Sequence, residues 1–487
     1  LPGSLMLETL LNKIQAAPDF PAFSRTVQEV GALIADEDQR SINELCSLIL
    51  RDVALTRKVL AVANTFSVRE ARGTVHTVSR AVMLLGFEEV KEIALTLMLF
   101  EHLQGQDHAG RLRGRMLQAL FGALLAQALS RPMVGRGGEP VFLAALFQNL
   151  GPMLVYRHLP EAPPEIERLC QEEGLDERAA ILRATGIVAD HLGREVAARW
   201  GLPDSLRADM RPVPLTARLG TVPPVQQAAW VASFANAGTA ILLTAASSAK
   251  ADAALDELAR RGGIEPEAVH QALAEARERM GIYVGLFEAT DGTHGLLARL
   301  GGQLPEAVVL PEAPAASAPT SGSERLLRGI EDVTASLLED YALPELLSSI
   351  LETLYQGLDL ALAVFFVHDA RSRALRPSMA FGEHSAQILK AGMLSLDSGN
   401  PIVTSLQGGE DRLIHRRDVP AARMEPWQWG AAESDTALIY PVYVNRRPVA
   451  LFYAEGRGAN MPPEALKVVK TLRNQAALAV MNKSARA

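Results

Sequence analysis

Ten histidines and two cysteines are spread over the 487 residues, and their spacing decides what chemistry the chain can host. A metal site on a helix needs ligands three or four residues apart, and no histidine pair falls at that spacing on a helical stretch. The only His-Asp dipeptide is His368-Asp369, which closes a strand-like run where turn chemistry accounts for it. Cys46 and Cys170 cannot form a CxxC knuckle and fit a reducing compartment as two small buried residues. His384 and His415 are isolated histidines, weak candidates for haem or small-ligand binding. Nowhere does the chain carry a GxxxxGKS/T loop, a GxGxxG turn, a GxSxG elbow or an HExxH helix. Gly135, Gly137 and Gly138 form a loop without phosphate-binding spacing. One aromatic concentration stands out: Trp427-Gln428-Trp429-Gly430 holds half of the four tryptophans, so Trp427 and Trp429 either lid a pocket or pack a loop.

Two kinds of element must position these groups. From Leu5 to about Gln303 the apolar residues follow helical spacing, as in Leu45, Leu48, Ile49, Leu55, Val59 and Val62. Residues 303–323 lose all periodicity and carry Pro305, Pro311, Pro314 and Pro319, the composition of an interdomain linker. A helix from Glu324 to Tyr341 follows, then strands at Leu362–Val367, Thr436–Tyr443 and Val449–Ala454, the last two a hairpin across Asn445, Arg446 and Arg447. A helix from Pro463 to about Met481 ends the pattern. The expected division is therefore 1–302 all-helical, with a core of about 20–287, a linker at 303–323, and an α+β module at 324–487.

Composition narrows the partners. With 48 basic and 56 acidic residues the net charge is −8, and residues 324–487 carry 18 and 19 of them, so neither part offers the positive field of a nucleic-acid binder. The longest apolar runs, such as Ala361–Val367, fall far short of a membrane span. No signal peptide is legible at Leu1–Leu11, which points to the cytoplasm, and the start at Leu1 points to a beginning inside a longer gene product.

A resemblance sharpens the helical part. Ile49-Leu50-Arg51-Asp52-Val53-Ala54-Leu55-Thr56-Arg57-Lys58-Val59-Leu60 with Ala63-Asn64-Thr65, then Val75, Val78, Ala81-Val82 and Leu84-Leu85-Gly86, then Arg199-Trp200-Gly201-Leu202-Pro203, resembles the signature segments of HDOD domains. Val53 stands where proline is usual and Thr65 where serine is usual. The resemblance implies an all-α bundle related to HD-type metal phosphohydrolases, which centre their metals on a His-Asp pair. Gln148 and Asn149 stand at those two positions, and neutral amides offer neither imidazole nor carboxylate. Asp190-His191 comes in reverse order, with Ala189 where a histidine is often found.

The C-terminal module resembles a GAF domain through Thr436–Val444, Arg446–Tyr453 and Gln475-Ala476-Ala477-Leu478-Ala479. That implies an antiparallel sheet flanked by helices and a role as a small-molecule sensor or dimerisation module. The ligand is not named by the resemblance. With no cysteine in the module a thioether-linked bilin is excluded, and the Asn-Lys-Phe-Asp-Glu set of cyclic-nucleotide-binding relatives is missing. No cofactor is expected. Leu326, Ile330, Val333 and Leu337, spaced 4, 3, 4, form either a homodimer seam or packing against the module's own sheet, and Leu466, Val469, Leu472, Ala476 and Ala479 form a second stripe.

The expectation is a non-enzymatic bacterial signal-transduction protein, a pseudo-enzyme whose HDOD-like part docks signalling proteins and whose GAF-like part senses or dimerises. The alternative is a metal-dependent phosphodiesterase of HD type.

Overall fold

The computed structural model describes residues 2–16, 41–69, 74–103, 109–134, 138–284, 299–300, 322–339, 341–391, 393–430, 434–458 and 461–486. The helices in chain order are α1 (Pro2–Gln15), α2 (Ser41–Leu50), α3 (Val53–Arg69), α4 (Val78–Leu85), α5 (Phe87–Leu103), α6 (Ala109–Val134), α7 (Glu139–Phe147), α8 (Leu150–His158), α9 (Ala162–Glu172), α10 (Glu177–Thr185), α11 (Ala189–Arg199), α12 (Asp204–Asp209), α13 (Gln227–Thr244), α14 (Ser248–Gly262) and α15 (Pro266–Val284). Then come α16 (Gly322–Leu338), α17 (Leu343–Gly357), β1 (Leu362–Asp369), β2 (Ala374–Gly382), α18 (Ser385–Ala391), β3 (Leu394–Ser395), α19 (Pro401–Gly408), β4 (Arg412–His415), β5 (Thr436–Val444), β6 (Arg447–Gly456) and α20 (Pro463–Arg486). Among the described residues no strand precedes Leu362, so the N-terminal part is all-α and the C-terminal part α+β. The linker expected at 303–323 lies outside the described residues except for its last two, which begin α16.

The chain forms two compact units: Leu1–Glu37 with Lys91–Pro311, and Asp38–Val90 with Glu312–Ala487. In the first, the segment from Met116 to Leu129 is rich in Ala and Leu, strong helix formers, and is apolar on every face. Helix α6 is therefore wrapped on several sides, by α7, α13 and α15. Local chemistry sets the helix ends: Asp176 caps α10 by accepting from Ala179 N–H at 3.0 Å, and Gly186 ends it at φ 70°. Helices α8 and α11 cross with backbones touching at Gly151, where a Cβ would collide with the Ala189 carbonyl oxygen.

In the second unit the residues that carry the HDOD resemblance build local structure. Asp52 Oδ1 caps α3 by accepting from Ala54 and Leu55 N–H at 2.8 and 3.1 Å, and the Thr56 hydroxyl donates to Ile49 O. Asn64 pins the chain before α4, accepting from Val75 N–H at 2.7 Å and donating to Val75 O at 2.8 Å.

The sheet of this unit is six-stranded and antiparallel in every pairing, ordered β3-β2-β1-β6-β5-β4. The β5–β6 turn has Asn445 and Arg446 at φ 51° and 63°, the geometry of a two-residue hairpin turn. Strand alternation gives the sheet two apolar faces. Phe365 and Phe452, ring centroids 4.7 Å apart, lie on the face that helix α17 covers, and α20 packs on β5. The other face carries Leu362, Val364, Phe366, Ile439, Leu451 and Tyr453, covered by Ile388 of α18, Ile402, Val403 and Leu406 of α19, and Trp429.

Residues 38–90 thus pack with the C-terminal third, along a different line from the linear division at 303–323. The physical reason is a set of hydrogen bonds in which Glu352 receives the first two amides of α4 and Asp332 receives His76 N–H and the Thr77 hydroxyl just before it.

Candidate functional site

Gln148 and Asn149 sit at the junction where α7 stops and α8 starts. Gln148 is buried, and its amide nitrogen donates to Asp209 O at 3.2 Å, Ala229 O at 3.1 Å and Ser233 Oγ at 3.2 Å. Its oxygen accepts from Asn236 Nδ2 at 3.2 Å. Asn149 Nδ2 donates to Ala145 O at 2.9 Å and Asn236 Oδ1 at 3.0 Å. The two amides form a closed network with α13, with their N–H groups turned toward carbonyls where a cation would need lone pairs.

The surrounding groups are arranged for structure. Asp190 is held by Arg178 at 2.8 Å, and His191, half exposed, lies 4.0 Å from Glu195. Half-burial pushes the Asp209 carboxyl up to about 6. Among the described residues no three His, Cys, Asp or Glu side chains converge as a metal site. His368 Nδ1 bonds Pro448 O at 2.9 Å, and Asp369 accepts from Arg371 and Ser372 N–H, which is turn chemistry. His415 Nδ1 lies 3.2 Å from Thr436 Oγ1, and His384 packs against Gly430.

The second candidate is on the sheet. Residues 451, 453 and 455 of β6 point to one face, and Glu455 ends that row completely buried. Its Oε1 accepts from the Tyr453 hydroxyl at 2.6 Å and from Trp429 N–H at 2.9 Å. Gln428 Nε2 donates to the Tyr453 oxygen at 3.3 Å, and Gln428 Oε1 accepts from Asn400 Nδ2 at 2.7 Å and Glu425 N–H at 2.8 Å. Asn400 in turn caps α19 through Ile402 N–H. The Trp427 ring stands edge-on to Tyr453 at 5.6 Å and 6.0 Å from Phe366. Trp429 is buried with its backbone at φ 60°, a strained conformation for an aromatic residue.

Four buried polar atoms here have no hydrogen-bond partner: Glu455 Oε2, Trp427 Nε1, Trp429 Nε1 and Ser434 Oγ. One carboxylate oxygen, two indole N–H groups and a hydroxyl left unpaired in one module are uncommon, since buried polar groups are nearly always bonded. Burial holds the Glu455 carboxyl above its ordinary range, and burial together with Glu455 holds the Tyr453 hydroxyl well above its own. The structure thus brings Trp427, Gln428 and Trp429 together with Tyr453 and Glu455, and sequence reasoning singled out neither Tyr453 nor Glu455. The available signal was Glu455 at an inward position of an otherwise apolar strand.

The helix stripe is divided. Leu326 and Val333 are buried, Leu326 against Gly357 of α17, whereas Ile330 and Leu337 are half-buried. Val469, Leu472, Ala476 and Ala479 of the second stripe are also buried, and Leu466 is half-buried. Leu327, Leu338, Leu478 and Met481 are the exposed large apolar residues on α16 and α20 among the described residues. No described helix is long and apolar enough to cross a membrane.

Comparison with known proteins follows the same two parts. An HDOD protein of unknown function from Geobacter sulfurreducens is 19% identical, with TM-score 0.45 over 58% of this chain and 98% of that one. A putative phosphohydrolase from Shewanella amazonensis is 17% identical, with TM-score 0.43 over 61% and 97%. The GAF domain of an Acinetobacter phosphoenolpyruvate-protein phosphotransferase is 13% identical, with TM-score 0.29 over 34% and 94%. No curated protein matches the chain. The HDOD family model matches residues 20–213, and the chain carries an HDOD domain there.

Proposed function

We propose that this chain is a cytoplasmic, non-enzymatic signalling protein in which the HDOD region docks other signalling proteins and the GAF-like module takes up a small molecule or dimerises. The observation that carries the sensory half is Glu455, buried with one oxygen accepting two hydrogen bonds and the other unpartnered, in a module where the Trp427 and Trp429 indole N–H groups are unpartnered too. Such a face favours a small polar molecule that offers a donor to Glu455 Oε2 and an acceptor to Trp427 or Trp429 Nε1. The non-enzymatic half rests on the closed amide network of Gln148 and Asn149, which supplies no anionic or imidazole ligand.

Two measurements test the reading. Metal analysis with a cyclic-dinucleotide hydrolysis assay is expected to show neither stoichiometric metal nor turnover. One metal per chain with turnover lost in Gln148→Ala overturns the non-enzymatic half. A thermal-shift screen of polar metabolites is expected to yield stabilisers of the wild type that fail on Glu455→Gln, and stabilisers indifferent to that change overturn the site.

A further inference from the structure

Residues 76–80 enter α4 through hydrogen bonds that converge on α16 and α17. Val78 and Ser79 N–H donate to the two oxygens of Glu352, both at 2.7 Å. His76 N–H and the Thr77 hydroxyl donate to Asp332 Oδ2, both at 2.9 Å. Ser79 Oγ lies 3.1 Å from Ser348 Oγ, and the buried Arg80 donates to Ser336 Oγ at 2.8 Å and Glu339 Oε1 at 2.9 Å. The first amides of a helix have no partner within it and form the positive end of its dipole, so Glu352 holds α4 by two of those donors while Thr77, itself bonded to Asp332, caps a third at Arg80 N–H.

Helix α17 is also tied to the opposite sheet face. It ends at Gly357, and after a short turn Ala361 N–H donates to the main-chain carbonyl of Glu455 at 2.9 Å. Leu362 stands opposite Glu455 in the β1–β6 register. Strand β1 then sends Val364 and Phe366 to the Glu455 face and Phe365 to the face on which α17 packs. One turn and one strand therefore separate the unpartnered carboxylate from the carboxylate that grips α4.

We infer that this clamp is the output of the GAF-like module: a shift of α17 against α16 when the Glu455 face is occupied opens the Asp332 and Glu352 grip and frees α2–α4. The bonded arrangement is the one the structure holds, and a switch requires that a released one be reachable from it. Only the trigger rests on the sensory reading of the Glu455 face. The grip itself stands on the bonds at residues 76–80.

Hydrogen exchange on the full chain, followed by mass spectrometry, tests both steps. Glu352→Ala is expected to speed exchange at residues 76–80 by about tenfold or more, with the β1 and β6 amides unchanged. Asp332→Ala, which leaves the Thr77 cap on Arg80 N–H in place and removes the acceptor of His76 N–H and the Thr77 hydroxyl, gives the same local effect if Glu352→Ala lowers stability throughout. Unchanged exchange at 76–80 in both variants overturns the clamp. Glu455→Gln is expected to change exchange at 76–80 about threefold or more while the sheet stays protected, and no change there overturns the coupling. A metabolite that binds at Glu455 without moving 76–80 leaves the sensor and removes its output. Absence of any binder with 76–80 still responding to Glu455→Gln removes the sensor and leaves the coupling.

Discussion

Tyr453 and Glu455 lie two residues apart on one strand, and the phenol donates to the carboxylate at 2.6 Å inside the sheet's covered face. The bond serves one oxygen of Glu455 and leaves the other with burial alone, which disfavours the charged form. Because its folded pKa is raised, Glu455 stabilises most below its unfolded pKa and loses that contribution as pH rises through the folded value. Glu455→Gln keeps an acceptor for Tyr453 and Trp429 and removes the ionisation. The variant is expected to be more stable than wild type at pH 8.5, by roughly 1 kcal/mol, with the gap closing at pH 5. Urea unfolding at the two pH values checks it, and a variant less stable at pH 8.5 than at pH 5, relative to wild type, contradicts it.

Parts of this arrangement were legible in the sequence. The β5–β6 hairpin was, because two strand-like apolar runs flank the short polar segment Asn445-Arg446-Arg447, whose Asn is a residue favoured at positive φ. Strand β2 was not, because Pro377 sits inside it and a bulge at Phe365/Phe366 shifts its register. Glu455 follows an apolar run and precedes Gly456-Arg457-Gly458, so it looked like the solvated end of a strand. Asp332 and Glu352 fall among the charges expected on the outer faces of amphipathic helices, and nothing local shows that residues more than 250 positions earlier cover them. Spacing likewise found the stripe Leu326, Ile330, Val333, Leu337 without showing that α17 takes Leu326.

The amide network at Gln148 sets a second expectation. Gln148→Leu retains bulk but removes the partner of Asp209 O and one partner each from Asn236 Nδ2 and Ala229 O, which keep Ala145 O and the Ser233 hydroxyl. Stranding buried polar groups costs about 1–3 kcal/mol, so chemical unfolding is expected to shift by that amount. A change below about 0.5 kcal/mol indicates that the network is dispensable to the fold.

Protonation of the α4 clamp gives a pH signature. Burial lifts Glu352 to about 7 and Asp332 to about 7, the latter aided by Glu352. Raised acids stabilise below their unfolded pKa, and that stability is lost as pH climbs through about 7. His76, lowered chiefly by burial, acts oppositely, and Glu455 acts in the same direction as the clamp, so a variant of the two clamp carboxylates is what separates their share. The other charged groups at the clamp are Arg80, Arg328, Glu331 and Glu339, and burial keeps the Cys46 thiol neutral throughout. Stability is expected to fall by about 1–2 kcal/mol between pH 6.5 and 8.5, and an Asp332→Asn, Glu352→Gln double variant to flatten the slope. An unchanged slope in the double variant assigns the titration elsewhere.

Self-association is the last expectation, and the helix stripe shows where to test it. Leu326 and Val333 are covered within the chain, so a seam on α16 must use the half-buried Ile330 and Leu337 with the exposed Leu327 and Leu338 beside them. Burying these partly open side chains against a second copy is worth about 1–2 kcal/mol each before association costs, enough for a dimer of moderate affinity. Ile330→Asp with Leu337→Asp places unpaired carboxylates in that seam while leaving the buried Leu326 and Val333 untouched. The full-length wild type is therefore expected to scatter light as a dimer at tens of micromolar, and the folded double variant as a monomer. A dimer of unchanged mass in the double variant moves the interface off α16, and a wild type that stays monomeric removes dimerisation from the proposed function.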